Sequence, residues 1–167
     1  MSTKSDYTDE EWATLLRAPI VAGMAISIAD PGGPIESIKE VMATLRAVTA
    51  PQSQDPLVTA VAQEITALAK ERKNPAGDFK PSGPAPGDQV LDEMRRVREI
   101  LAAKATPDEA RAFGLWMMTV AQEAANSAKE GGFMGIGAEQ VSEGERQMLA
   151  RLGTALEVDT PGTPLEA

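Results

Sequence analysis

Thr8-Asp-Glu-Glu-Trp-Ala-Thr-Leu-Leu-Arg-Ala-Pro-Ile-Val-Ala-Gly-Met-Ala-Ile-Ser-Ile-Ala-Asp30 is the stretch that decides the fold. A threonine ahead of three acidic residues reads as a helix start. Its hydroxyl can accept an orphan backbone N–H, and the carboxylates sit at the positive end of the helix dipole. Beyond it Trp12, Leu15, Leu16, Ile20, Met24 and Ile28 recur at helical spacing, with Val21 and Ile26 on the other side. Apolar groups around the circumference predict a central helix running to about Ala29, kinked at Pro19. The longest uncharged apolar run inside it, Ala18–Ala29, is twelve residues. A bilayer span needs about 20, so a buried core helix is expected.

The same punctuation recurs downstream. Asp30-Pro-Gly-Gly-Pro34 breaks the chain, and Pro34 suits a first helical position. Ile38, Val41, Met42 and Leu45 then form the stripe expected to hold the second helix to the core. Asp55-Pro56 opens a third, with Val58, Val61, Ile65 and Leu68. Residues 74–87 carry four prolines and three glycines and read as an extended, mobile linker. Leu91, Met94, Val97 and Leu101 mark a fourth helix. Thr106-Pro-Asp-Glu109 caps a fifth, lined by Phe113, Trp116, Met117, Val120 and Ala124. After Gly131-Gly-Phe-Met-Gly-Ile-Gly137, the capping box Ser142-x-x-Glu145 opens a sixth with Met148, Leu149, Leu152 and Leu156.

No two-residue alternation occurs, so the fold class is all-α: one helical bundle of about six helices over residues 1–158. Its first half is 8–71 and its second 88–156, with 159–167 a disordered tail. The cap threonines Thr8 and Thr106 lie 98 positions apart and the glycine pairs that follow lie 99 apart. That spacing suggests two pseudo-symmetric halves.

Composition removes whole classes of chemistry. The 167 residues contain no cysteine and no histidine, so disulfides, thiolate nucleophiles, histidine bases and zinc sites of the usual kind are excluded. A net charge of −9 argues against nucleic acid, which needs a basic face. The one basic knot, Arg95-Arg-Val-Arg98, reads as a solvated helix face pairing with Asp92, Glu93 and Glu99. The N-terminal residues lack the pattern of a secretion or transit signal, and a cytoplasmic location is expected.

Two places invite a functional reading. The glycines at 132, 135 and 137 lack the strand and the lysine that phosphate loops require. The loop's Phe133, Met134 and Ile136 are large apolar groups that either plug the bundle or contact a protein partner or membrane surface. Any metal would have to be an oxygen-liking cation, calcium or magnesium, and Asp30 and Glu36 flank a turn where two carboxylates can meet one ion. No catalytic residue is singled out and no cofactor motif is present.

Glu10–Asp30, Ala128–Gly137 and Val141-Ser-Glu-Gly-Glu145 resemble segments of a group of small bacterial helical proteins. More distantly they are similar to the TerB-like helical domains linked to tellurite resistance. In those domains a helix ending in Ala-Asp is followed by a Glu opening the next. Asp30 and Glu36 match that pattern and Glu145 matches in part, while Pro31 replaces a glycine and Lys129 an acid. The resemblance implies an all-helical domain with a divalent-cation site near Asp30, in a stress-related setting. Taken with the residues, the expected function is non-enzymatic binding of a protein partner or membrane surface, the cation-binding domain being the alternative and an enzyme of unknown type the third reading.

Overall fold

Reciprocal hydrogen bonds fix where the long helices begin. In the computed structural model Thr8 accepts from the Glu11 backbone N–H while the Glu11 carboxylate accepts from the Thr8 backbone N–H at 2.7 Å. Thr106 and Glu109 repeat the arrangement, and so do Ser142 and Glu145. Asp55 caps more simply, accepting from the N–H groups of Leu57 and Val58 ahead of Pro56. Each cap fills donors that no intrahelical carbonyl can reach.

The structure describes residues 2–30, 34–127 and 141–158, with the backbone alone over 34–40. These form α1 (Asp9–Ala29), α2 (Pro34–Thr49), α3 (Pro56–Lys70), α4 (Pro86–Lys104), α5 (Pro107–Ser127) and α6 (Glu143–Leu156), preceded by a single 3-10 turn at Lys4–Asp6. The fold is the expected all-α bundle, and no strand occurs among the described residues. The tail beyond residue 158 lies outside them.

Helix α1 is the hub: it packs against all five other helices. By length and composition it could cross a membrane, yet Trp12, Leu15, Leu16, Val21 and Ile26 are all buried against protein. It runs unbroken through Pro19. Helices of the two halves interleave, because α5 lies along α1 and α2 while α4 lies along α1. Phe113 and Trp116 meet edge to face at 5.4 Å within this core. The buried rows of α4, α5 and α6 are those the periodicity predicts.

The second helix departs from expectation. Among its described side chains the buried ones are Thr44 and Val48, whereas Val41, Met42 and Leu45 are 56%, 57% and 36% exposed. Ile38 lies where side chains are not described. The α1–α2 crossing is made by a different residue. Gly23 of α1 has no side chain, and a Cβ built there would stand 2.4 Å from Thr44 Oγ1 and 2.5 Å from its Cγ2. Thr44 fills that notch, and Met42 and Leu45 stand on other sides of the helix.

The 74–87 linker is an anchored strap rather than an extended spacer. Asn74 accepts from Ala76 N–H and donates to the Gly77 carbonyl, both at 3.0 Å, and Gly77 takes a φ of +58° that suits a residue without Cβ. Ala76 is buried and Phe79 packs on the core.

Substituting Gly23→Ala should drive Thr44 from its notch and cost about 1–3 kcal/mol. Adding Thr44→Ala removes both atoms nearest the new methyl, so the double variant should recover part of the loss. Denaturant titration of the single and double variants measures this coupling; strictly additive losses would contradict the notch.

Candidate functional site

Three of the four exposed large hydrophobics among the described residues, Val41, Met42 and Leu45, stand on α2. Met42, Leu45 and Thr49 stand at i, i+3 and i+7, on one side of the helix. Thr49, the last residue of α2, also lines a groove of about 470 Å³ between the α2–α3 loop (Pro51, Ser53, Gln54) and α3 (Thr59, Ala62, Gln63, Thr66, Lys70). The polar trough thus begins where the apolar ridge ends.

On the opposite side of α2 lies a second groove of about 580 Å³, against α5. Ala43, Ala47, Ala112 and Trp116 line it, with Arg46 and Glu123 on its two walls. Trp116 has a structural task here. The carbonyl of Ala47 would normally accept from residue 51, but Pro51 has no N–H. The Trp116 indole N–H donates to that carbonyl instead, at 3.2 Å. Leu115, 36% exposed, extends the apolar surface along α5.

Asp30 is the C-cap of α1, and its side chain is exposed. The Glu36 side chain falls among those not described, so only one of the two expected cation ligands is placed. One carboxylate is far short of the six to eight oxygens calcium takes. Among the described residues no three carboxylates gather into a metal-holding group. Phe133, Met134 and Ile136 lie outside the described residues. The described residues stop at Ser127 in α5 and resume at Val141. At that end α6 touches α1, since a Cβ on Gly144 would come within 2.7 Å of the Ala29 carbonyl oxygen.

The buried carboxylates are all engaged. Glu93 of α4 accepts from Arg17 Nε of α1 at 2.5 Å, and Arg17 also donates to the buried Thr14 hydroxyl. Glu145 receives the Ser142 backbone N–H. Glu109 accepts from the backbone N–H groups of Thr106 (2.8 Å) and Ser2 (2.7 Å) and from the Thr106 hydroxyl (2.9 Å). The arginine knot of α4 spreads outward: Arg95 pairs with Asp92 as expected, but Arg96 reaches Glu10 of α1 and Arg98 reaches Glu157 beyond α6.

Sequence reasoning did not foresee the cluster at the start of α1. Lys4 pairs with Glu64 at 2.7 Å, its ammonium 5.6 Å from the Trp12 ring centre. Lys104 pairs with Glu11 at 2.7 Å and donates to the Asp6 carbonyl at 2.9 Å. Its hydrogen bond, with that from Thr8, holds the Glu11 carboxyl below its ordinary range. Tyr7 and Trp12 stack at a tilt, 5.7 Å between centres, and burial pushes the Tyr7 phenol up.

Compared with known protein families, curated proteins and solved structures, the chain matches none.

Burial would push the Glu109 carboxyl up, but hydrogen bonds from Thr106 and Ser2 overrule it and leave it below the ordinary 4.5. A carboxyl depressed on folding stabilises the native state above its unfolded pKa. That contribution is lost as pH falls through 4.5 toward the folded value. Glu109→Gln should therefore lower stability at pH 7 and flatten the acid limb of the stability curve below pH 4.5. Thermal melts between neutral and acid pH test this; parallel curves for both proteins would count against it.

Proposed function

We propose that this chain is a binding domain that docks a protein partner on the exposed stripe of α2. The observation that supports the reading is the exposure of Val41, Met42 and Leu45 on a helix whose own core contact uses Thr44 and Val48. Side chains of that size cost solvation while uncovered, and contiguous apolar surface of this kind marks contact sites. The polar trough that begins where the ridge ends suits an amphipathic helix: its apolar stripe lies on Met42 and Leu45, and its polar continuation spans Thr59, Gln63 and Thr66. A protein is favoured over an anionic membrane because a chain of net charge −9 is repelled from acidic lipid. Binding without chemistry is the reading for a chain of this composition, and a cytoplasmic, stress-related role belongs to the same proposal.

Met42→Ser with Leu45→Ser leaves the buried Thr44 and Val48 in place, so the double variant should still fold and melt cooperatively, with a loss of about 1–2 kcal/mol from the partly covered Leu45. A photo-reactive side chain placed at position 49 should cross-link one defined protein in cells, and the double variant should abolish that adduct. An undiminished adduct would remove the stripe from the proposal. Flotation of the natural chain with acidic liposomes, lost in the double variant, would replace the protein partner with a membrane.

The resemblance that points to a cation at Asp30 and Glu36 makes a separate demand. A divalent-cation domain should melt several degrees higher in millimolar calcium or magnesium, and Asp30→Asn should cancel the rise. No shift with either ion would end that alternative.

A further inference from the structure

The segment Ser2–Tyr7 crosses one end of the bundle and touches four helices: Trp12 on α1, Glu64 on α3, Lys104 on α4 and Glu109 on α5. Of its residues only Tyr7 is buried. The remaining ties are polar: Ser2 N–H to Glu109, the Tyr7 hydroxyl to the Ser2 hydroxyl at 3.0 Å, and the two lysine contacts. Tyr7 is anchored in the core against Trp12, whereas Ser2–Asp6 bury no side chain and open at low free-energy cost relative to the helices beneath them.

What lies under Lys4 has the chemistry of a receptor. The Glu64 carboxylate accepts the Trp12 indole N–H at 2.9 Å, so it is held by a rigid partner whether or not Lys4 is present. Lys4 adds two charge-assisted bonds, 2.7 Å and 3.0 Å to the two carboxylate oxygens, and rests near the face of the same indole. A carboxylate and an aromatic face converging on one ammonium combine ion pairing with cation–π attraction. The Lys4 side chain is 58% exposed and Glu64 30%, so the pair is reachable and exchanges with solvent. A surface with 25 acidic against 16 basic residues also draws cationic segments toward it.

We infer that Trp12 and Glu64 form a receptor for a lysine ammonium, filled in cis by Lys4, and that a lysine-bearing segment of a partner protein binds there by displacing Ser2–Asp6 while Tyr7 stays in the core. The site lies on a different face of α3 from the groove that Thr49 lines and does not depend on the stripe. Lys4 acts as a built-in competitor. Binding in trans is weakened by the fraction of molecules in which Lys4 is seated.

The two tryptophans make the test direct. Each gives one indole N–H resonance in a ¹⁵N-labelled chain. Trp12 reports on Glu64, while Trp116, bonded to Ala47, reports on the unperturbed core. The probe is N-acetyl-lysine methylamide, with the norleucine analogue as its uncharged match. In Lys4→Ala the Trp12 signal should move saturably with the lysine probe and ignore the norleucine one, while Trp116 stays still. The natural chain should need about tenfold more probe, the factor for a site about nine-tenths occupied in cis. Glu64→Gln in the Lys4→Ala background should abolish the response, with the Trp116 signal in place to show a folded bundle. A Trp12 signal unmoved in Lys4→Ala, equal responses to both probes, or equal midpoints in the natural and Lys4→Ala chains would each overturn the inference.

Discussion

Everything in this bundle is arranged around a helix that must be covered on all sides. Helix α1 meets the other five, and its small residues Ala18, Ala22, Gly23 and Ala25 are buried where neighbours come close. Small side chains allow near approach but demand a matching surface, because a void forfeits dispersion contact and an added methyl has nowhere to go. Gly23 is the sharpest case. Thr44 occupies the volume a side chain would have taken, so α2 meets α1 through Thr44 and leaves Met42 and Leu45 uncovered.

The carboxylates that caps bury divide the chemistry of the chain in two. Glu109 and Glu145 are satisfied chiefly by backbone donors at helix starts, where the dipole also favours negative charge. Glu93 is satisfied by Arg17, and Arg17 in turn by Thr14, so one polar chain ties α4 to α1. With histidine and cysteine absent, carboxylates are the main groups left for ionic function. The buried ones are committed to holding the fold. Those left to meet a ligand are at the surface, and Glu64 is one whose neighbours already imitate a binding event.

Helix positions were legible because their signals are local. Thr8, Thr106 and Ser142 each act within four residues; the structure uses all three caps, the Ser142–Glu145 box as read, and adds return bonds from Glu11 and Glu109. The stripe of α2 was misassigned because periodicity says which residues share a face and not where the face points. The core contact is made by Thr44, against Gly23 of another helix. The linker looked extended from its prolines, but Asn74, Ala76 and Phe79 supply the anchors that composition hides. Asp30 was correctly placed at a helix end, and nothing nearby in sequence identifies its spatial neighbours. Lys4, Trp12 and Glu64 were out of reach for the same reason, since Lys4 and Glu64 are separated by 60 positions.

The two surfaces differ in the force that would hold a partner, and that difference gives them different uses. Contact on Met42 and Leu45 is apolar, insensitive to moderate salt and favoured by excluded kosmotropes. Contact at Trp12 and Glu64 is an exposed ion pair with an aromatic wall, weakened as salt shortens the Debye length to about 8 Å at physiological strength. An apolar ridge alone binds amphipathic helices with little discrimination. A lysine receptor alone is weak and met by many proteins. A partner carrying both an amphipathic helix and a suitably spaced lysine would gain from the two together, because the second contact forms at high effective concentration once the first is made. The Ser2–Asp6 stretch then has a physical role within the bundle. It keeps Trp12 and Glu64 covered until a partner already held elsewhere presents a competing ammonium.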